Sequence, residues 1–367
     1  MRKEFNQLRI GWFCPTNGDM TRFSDPGAII PRSLEHFIKV NKNAEDAGME
    51  YMLFPTGPTC WDAWTAASFV AAACKKIKPL VAMKPGFTHP VAQAKMIAAF
   101  SNFTQGRIHI NLIAGVSEKE AVSEGQLGSK EARYRQLEEE VVLIKRLLTE
   151  KNVTFDGEFY QVKEPAVIPD LEYGMPEFFL GGGSDQAIGI SARHSAVHLF
   201  WGDYPAVISE QIKAIKQIAA EYQREQDLAY AMRLQVICRE TEDEAWDFAH
   251  QLVADTEQRK AEKKQRDQNI NSVANARQKE LAKVEGGKMT PHLWTGINDV
   301  RVGAGVAVVG NPKQVAAQLM EFVEAGCSGF CLSGYPHDKE AEIFGRLVMP
   351  LLRQHVERMS RHDSLSV

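Results

Sequence analysis

Eight short, almost wholly apolar runs recur along this chain, and most are followed by a stretch whose apolar residues repeat with a helical period. They are Ile10 to Cys14, Tyr51 to Phe54, Leu80 to Met83, Ile108 to Ala114, Phe178 to Leu180, Val197 to Trp201, Met232 to Cys238 and Gly329 to Leu332. A strand with one wet face alternates apolar and polar residues. An uninterrupted apolar run suits a strand buried on both faces of a parallel sheet. Helical patterns fill the gaps: Leu34 to Gly48, Asp62 to Lys75, Pro90 to Phe103, Glu131 to Leu148, Asp185 to His194, Ala206 to Tyr222, Thr241 to Ala254 and Pro312 to Gly326. Thr241 with Glu244 opens its helix on a capping-box pattern. Eight such units favour a (β/α)8 barrel over an open sheet, which usually has about five or six strands. A length of 367 residues accommodates one barrel with insertions, read as a single domain over residues 1–367. No repeat of fixed period is present, which disfavours a solenoid.

Two segments interrupt the alternation. Val153 to Val162 carries Asp156-Gly157 between alternating residues, a hairpin signal. Residues 256–290 are rich in Lys, Glu, Gln and Arg. They read either as a solvated helix or linker, or as a mobile lid leaving the helix after the seventh strand, where loops overhang a barrel's mouth.

Composition excludes several classes. The formal charge of -4 gives no general attraction to nucleic acid or an anionic membrane. No apolar run approaches the ~20 residues of a membrane span. Met1-Arg-Lys-Glu-Phe-Asn-Gln7 lacks a following apolar segment, so a cytoplasmic location is expected. The six cysteines, at 14, 60, 74, 238, 327 and 331, form no C-x-x-C pair and no zinc spacing. Five read as small core residues. Cys60 differs because Phe54-Pro55-Thr56-Gly57-Pro58-Thr59-Cys60-Trp61 places it just past a strand's carboxyl end, where barrel active sites are built.

Residues at the other predicted strand ends form a constellation. Strand one leads into Pro15-Thr16-Asn17-Gly18-Asp19, strand three into Lys84, strand four carries Asn111, and strand six ends at Trp201. Gly181-Gly182-Gly183-Ser184 before a helix reads as a phosphate cradle, since glycine lets the backbone approach and the helix N-terminus supplies free N–H groups. The same residues also read as an ordinary N-cap. Arg233, Arg301 and Lys84 are candidates to converge on an anion, although surface ion pairing is the commoner use of each. Arg233 is the strongest because it interrupts an apolar strand, where an unpaired charge is costly unless it meets a ligand or partner. Trp201 and Trp294 read as site walls or plain core aromatics. Tyr335 is a candidate donor to a reacting oxygen, and His337 reads as a capping or ion-pair residue rather than a base. Neither a serine triad nor a metal ligand set is present.

These motifs resemble the two-component alkanesulfonate monooxygenases of the bacterial luciferase-like flavin family. The resemblance rests on Phe54-Pro-Thr-Gly with Cys60 and Asp62-Ala-Trp64, Gly181 to Asp185, Trp201-Gly202 and Arg239 to Trp246. It extends over Leu293-Trp-Thr-Gly, Val300 to Gly305, Gly310-Asn-Pro-Lys-Gln-Val315 and Leu332 to His337. It implies a TIM barrel that receives reduced FMN from a separate NAD(P)H-dependent flavin reductase and reacts it with O2, so that a flavin peroxide oxygenates a small-molecule substrate. In those relatives an alkanesulfonate is cleaved to aldehyde and sulfite. By resemblance, Tyr134, Gly182, Gly183 and Ser184 would hold the FMN phosphate, and Asn111 would lie near the ring system. Trp201, Arg233, Gln235, Arg301 and Tyr335 would surround the substrate, and Cys60 would line the flavin pocket. The resemblance also implies a homodimer or homotetramer.

Three positions depart from the family pattern. Gln235 and Asn17 stand where relatives carry histidine, and Pro58 stands in place of an arginine. Glutamine neither takes up a proton nor carries charge near neutrality. The departures leave open a non-sulfonate substrate, such as a sulfone or a heterocycle cleaved at a carbon–heteroatom bond. A non-catalytic flavin-binding protein is a further alternative, which Arg233, Arg301 and Tyr335 argue against.

Overall fold

In the computed structural model, which describes residues 8–115, 117–126, 128–165, 170–267 and 272–365, each apolar run forms a strand. The strands are β1 (Arg9–Phe13), β2 (Tyr51–Phe54), β3 (Lys78–Met83), β4 (His109–Leu112), β5 (Phe178–Gly181), β6 (Val197–Trp201), β7 (Ala229–Cys238) and β8 (Gly329–Ser333). Each pairs in parallel with the next. Pairing of β8 with β1 closes the ring. The result is the eight-stranded (β/α)8 barrel expected from the run pattern.

Alternation along each strand sorts the core into two layers. Trp12, Met52, Phe54, Val81, Ile110, Phe178, Leu180, Met232 and Phe330 face the surrounding helices. Phe13, Tyr51, Leu53, Leu80, Phe179, Leu199, Ala231 and Cys331 fill the lumen. Lumen packing explains Gly11: a Cβ there would fall 2.2 Å from the Tyr51 ring. The same period of two carries Asn111, Trp201, Arg233, Gln235 and Ser333 to the lumen side at the carboxyl ends of their strands.

β7 is ten residues long and outruns the barrel. Its upper half, Gln235 to Cys238, pairs with an additional strand, Ala307–Gly310, which pairs antiparallel with Leu293–Trp294. This strand pair is absent from the sequence reading. It anchors the segment bearing Arg301 to the barrel rim.

The predicted hairpin is present, with Thr154–Asp156 antiparallel to Gln161–Lys163. The charged insertion forms two helices, Glu257–Asp267 and Val273–Leu281. The first is largely solvated, with the Arg259 guanidinium 5.3 Å from the Phe23 ring centre. The second buries Asn275, Gln278 and Leu281. Gln278 Nε2 donates to Gly202 O at 2.8 Å, and Arg277 forks onto the buried carboxylate of Asp203 at 2.6 and 2.7 Å. The second half of the insertion is thus fastened beside the end of β6 rather than running as a linker. Among the described residues no helix is long and apolar enough to cross a membrane.

Candidate active site

Arg233 stands on the lumen face of β7 and is buried. Among the described residues it has no carboxylate partner. Its Nη1 donates to Leu234 O at 2.8 Å and Cys331 O at 3.3 Å, and its Nη2 to Ser333 Oγ at 2.7 Å. The Phe13 ring lies beneath it, 4.8 Å from Cζ. Burial, helped by the nearby positive charge of Arg301, pulls the guanidinium down to about 10, still fully charged at neutral pH. Arg301 donates through Nε to Val302 O at 3.3 Å, while its buried Nη1 has no partner. Two cations therefore lie close together with no carboxylate partner among the described residues, an arrangement suited to an anion or a developing negative charge.

Gln235 is one pleat above Arg233. Its Oε1 accepts from Ser333 Oγ at 2.7 Å, and its Nε2 donates to Ala304 O at 3.0 Å. Ser333 accordingly links Gln235 to Arg233, and both ends of the Gln235 amide are engaged. Trp201 is the register partner of Arg233 across β6 and β7. A Cβ on Gly303 would fall 3.7 Å from Arg301 Nη2 and 4.0 Å from the Trp201 ring, which joins these walls. Tyr335 is buried edge-on against Phe23 and His337, with ring centres 4.8 and 4.9 Å away. Asn111 is buried on β4, and its amide has no hydrogen-bond partner among the described residues. Trp294 sits in the core, edge-on to Trp246.

Lys84 does not join the arginines. Its ammonium pairs with Glu120 at 2.7 Å and also with Glu124. Both carboxylates come from the segment after β4, some forty residues on, so nothing local to Lys84 signals them. Cys60 is half-buried, and burial pushes its thiol up despite Thr16 and Lys84 nearby. Its thiol is therefore neutral rather than a thiolate. The other five cysteines are buried.

The glycine segment opens on a cavity of about 210 Å³, whose lining includes Gly182, Gly183, Ser184, Tyr134 and Arg133. Four helices point their N-termini at it. They begin after Ser117, Ser129, Ser184 and Ser272, each of which caps its own helix by accepting from a backbone N–H. Ser184 Oγ also donates to Tyr134 Oη at 3.2 Å. Ser184 is thus the N-cap of its helix and also part of the cavity lining. Arg133 is buried, donating to Ala114 O at 3.3 Å and Gly128 O at 2.8 Å, with no carboxylate partner among the described residues. Gly182 has φ of 139°, and a Cβ there would come 3.0 Å from that of Ala187. Converging helix N-termini, the buried Arg133 guanidinium and bare backbone suit a phosphate, and Glu118, Lys130 and Glu131 share the lining with them. Of the three extra caps, only Ser117 carried a sequence signal, through Glu120 three residues later.

Asp19, after β1, and His337, after β8, also meet. Asp19 Oδ1 accepts from His337 Nδ1 at 2.8 Å, and Oδ2 from His36 Nε2 at 2.8 Å. His337 thus meets a carboxylate through its side chain. Burial opposes the charge on Asp19, but the two histidines hold its carboxyl well below the usual range. Among the described residues no cluster of metal-ligating side chains is present.

Solved structures share this architecture along nearly their whole length. EDTA monooxygenase (EmoA) from Chelativorans sp. BNC1 matches with a TM-score of 0.78 and 18% identity over 95% of this chain and 94% of that one. Riboflavin lyase (RcaE), solved with modified FMN and riboflavin, matches with a TM-score of 0.78 and 17% identity, covering 95% and 92%. Long-chain alkane monooxygenase (LadA) gives a TM-score of 0.78 and 16% identity, covering 95% and 92%. At such identities the likeness concerns the fold. The family description for luciferase-like monooxygenases matches residues 8–329, from β1 to the start of β8, taking in the carboxyl ends of β1 to β7 but not Ser333, Tyr335 or His337. This chain belongs to the luciferase-like monooxygenase family.

Proposed function

We propose that this enzyme is a flavin-dependent monooxygenase that takes reduced FMN from a separate NAD(P)H-dependent reductase and uses O2 to oxygenate a small organic substrate. The observation that carries the proposal is the pairing of two anion-ready regions at one barrel mouth. A serine-capped cradle would fit a phosphate, and the Arg233–Arg301 pair has no carboxylate partner among the described residues. Tyr134, Ser184, Gly182, Gly183 and Arg133 would hold the FMN phosphate, and the unengaged amide of Asn111 would meet the ring system. Bound reduced FMN would supply the electrons that activate O2. Arg233 and Arg301 would stabilise negative charge developing on the substrate, and Tyr335 would donate to a reacting oxygen. Trp201 and Cys60 would wall the site against water. The helices of residues 256–290 would act as the lid, and a homodimer or homotetramer is the expected assembly.

An alkanesulfonate cleaved to aldehyde and sulfite is the first substrate to test. A second reading keeps the cofactor and replaces the sulfonate by a sulfone or a heterocycle. It is favoured by Gln235, a neutral amide held by Ser333 and Ala304 that brings no positive charge to a substrate anion. Turnover assays with excess reductase and FMN, scoring sulfite, aldehyde and hydroxylated product separately over a substrate panel, distinguish the two. Sulfite release from sulfonates supports the first reading and oxygenation of neutral substrates alone supports the second. FMN binding without oxygen consumption across the panel would leave only a carrier role.

A further inference from the structure

We propose that His337 is the proton-transfer residue of this site, with Asp19 as its positioning residue. The proposal rests on the monooxygenase reading above and adds to it the group that handles the proton.

The argument begins with the hydrogen bonds of Asp19. Its Oδ1 accepts from His337 Nδ1 and from Met20 N, both at 2.8 Å. Its Oδ2 accepts from His337 N at 2.9 Å and His36 Nε2 at 2.8 Å. An ionised carboxylate only accepts, so four donors surround it and His337 Nδ1 must carry a hydrogen. In the neutral ring the free lone pair then lies on Nε2. That nitrogen is buried and has no partner among the described residues, and the residue is 1% exposed. Leaving a buried acceptor unmade costs ~1–3 kcal/mol, and a purely structural contact to Asp19 gains nothing from it.

Two aromatic rings pack against the His337 imidazole. The His337 ring is edge-on to Tyr335, and its centre lies 5.7 Å from that of Phe13. The Phe13 ring also carries the Arg233 guanidinium. The base and the cation therefore flank one aromatic ring at the top of the lumen. The other charged groups packed about His337 are His36 on Asp19 and the neighbouring Asp338, which pairs with Lys39 at 2.7 Å.

This arrangement matches the cleavage of a carbon–heteroatom bond after oxygenation. The oxygenated carbon bears a hydroxyl, and Nε2 accepts its proton. The O–H electron pair forms the carbonyl, and the carbon–heteroatom bond breaks with its pair leaving on the heteroatom. The negative charge that appears there falls beside Arg233 and Arg301, and the imidazolium is balanced by Asp19. The proton leaves Nε2 to the departing group or to water.

Two measurements test this. The first is ¹⁵N NMR of the histidine rings in the full-length protein without flavin, near neutral pH. His337 is expected with Nδ1 protonated and Nε2 bare, and Asp19→Asn is expected to abolish that fixed tautomer. A wild-type ring with hydrogen on Nε2 and not on Nδ1 overturns the proposal. The second compares His337→Gln with wild type on a substrate that wild type turns over. The expected result is a fall in kcat of ~10²-fold or more, the usual range for a lost general base, with reduced-FMN affinity unchanged. A variant whose kcat stays within about threefold overturns the base role while leaving the monooxygenase reading intact. A wild type that binds no reduced FMN removes that reading and this proposal together.

Discussion

Replacing Arg233 by methionine separates a functional cation from a structural one. Burial pulls this guanidinium from its ordinary 12.5 to about 10. At ~1.4 kcal/mol per pH unit, a charge so displaced destabilises the fold by ~3 kcal/mol. Its folded value lies below its unfolded one, so the penalty is fully present below about pH 10. Methionine relieves it and keeps most of the side-chain volume. Against this stand the lost bonds to Leu234 O, Cys331 O and Ser333 Oγ, at ~1 kcal/mol each. The two sides nearly cancel. Urea unfolding of Arg233→Met without flavin, at pH 7, should therefore fall within ~1 kcal/mol of wild type. Its kcat/KM should drop ~10²–10³-fold, as when a donor to developing charge is lost. Truncating one member of a buried ion pair instead costs ~3–5 kcal/mol. A destabilisation of that size, or an unchanged kcat/KM, would refute the assignment of Arg233 to the reaction.

Further outcomes follow from the same coordinates. Ser184→Ala should cost ~1 kcal/mol of stability through the lost cap and weaken reduced FMN while leaving reduced riboflavin, which lacks the phosphate, unaffected; calorimetry with both ligands checks this. Burial pushes the Glu140 carboxyl up to about 7, against its bonds from Gly86 N and Tyr160 Oη. Its folded value exceeds the unfolded 4.5, so between those values the folded chain holds a proton the unfolded chain has lost, and stability falls as pH rises. Glu140→Gln should match wild type near pH 4.5 and exceed it by up to ~3 kcal/mol at pH 8, measured as urea midpoints at each pH. Gln235→His should raise kcat/KM for sulfonates relative to neutral analogues, and an unchanged ratio would remove position 235 from substrate selection. Proteolysis within residues 256–290 should slow when reduced flavin and substrate are both bound, and equal cleavage would dismiss the lid.

The barrel was legible because strands buried on both faces are mostly apolar and stand out between polar loops and amphipathic helices. Asp185 to His194 and Tyr51 to Phe54 are bounded in the fold where the pattern placed them. Ala307–Gly310 was missed because it serves the overhang of β7 rather than the barrel, and an apolar tetrapeptide does not state what it pairs with. The lumen side of Arg233, Gln235 and Trp201 follows from parity along their strands. The partners of the cations do not, since Lys84 meets glutamates from beyond the next strand, while Arg233 meets, among the described residues, carbonyls, Ser333 and Phe13. His337 read as a capping or ion-pair residue and meets a carboxylate, yet that partner, Asp19, lies 318 positions away. No spacing rule reaches across a barrel's closure.

Anaerobic titration of the purified chain with reduced FMN tests the central claim most directly. The account predicts saturable binding that is lost with Ser184→Ala and Arg133→Ala together and is much weaker for reduced riboflavin. Absence of saturable binding, or equal affinity for the two flavins, would contradict it.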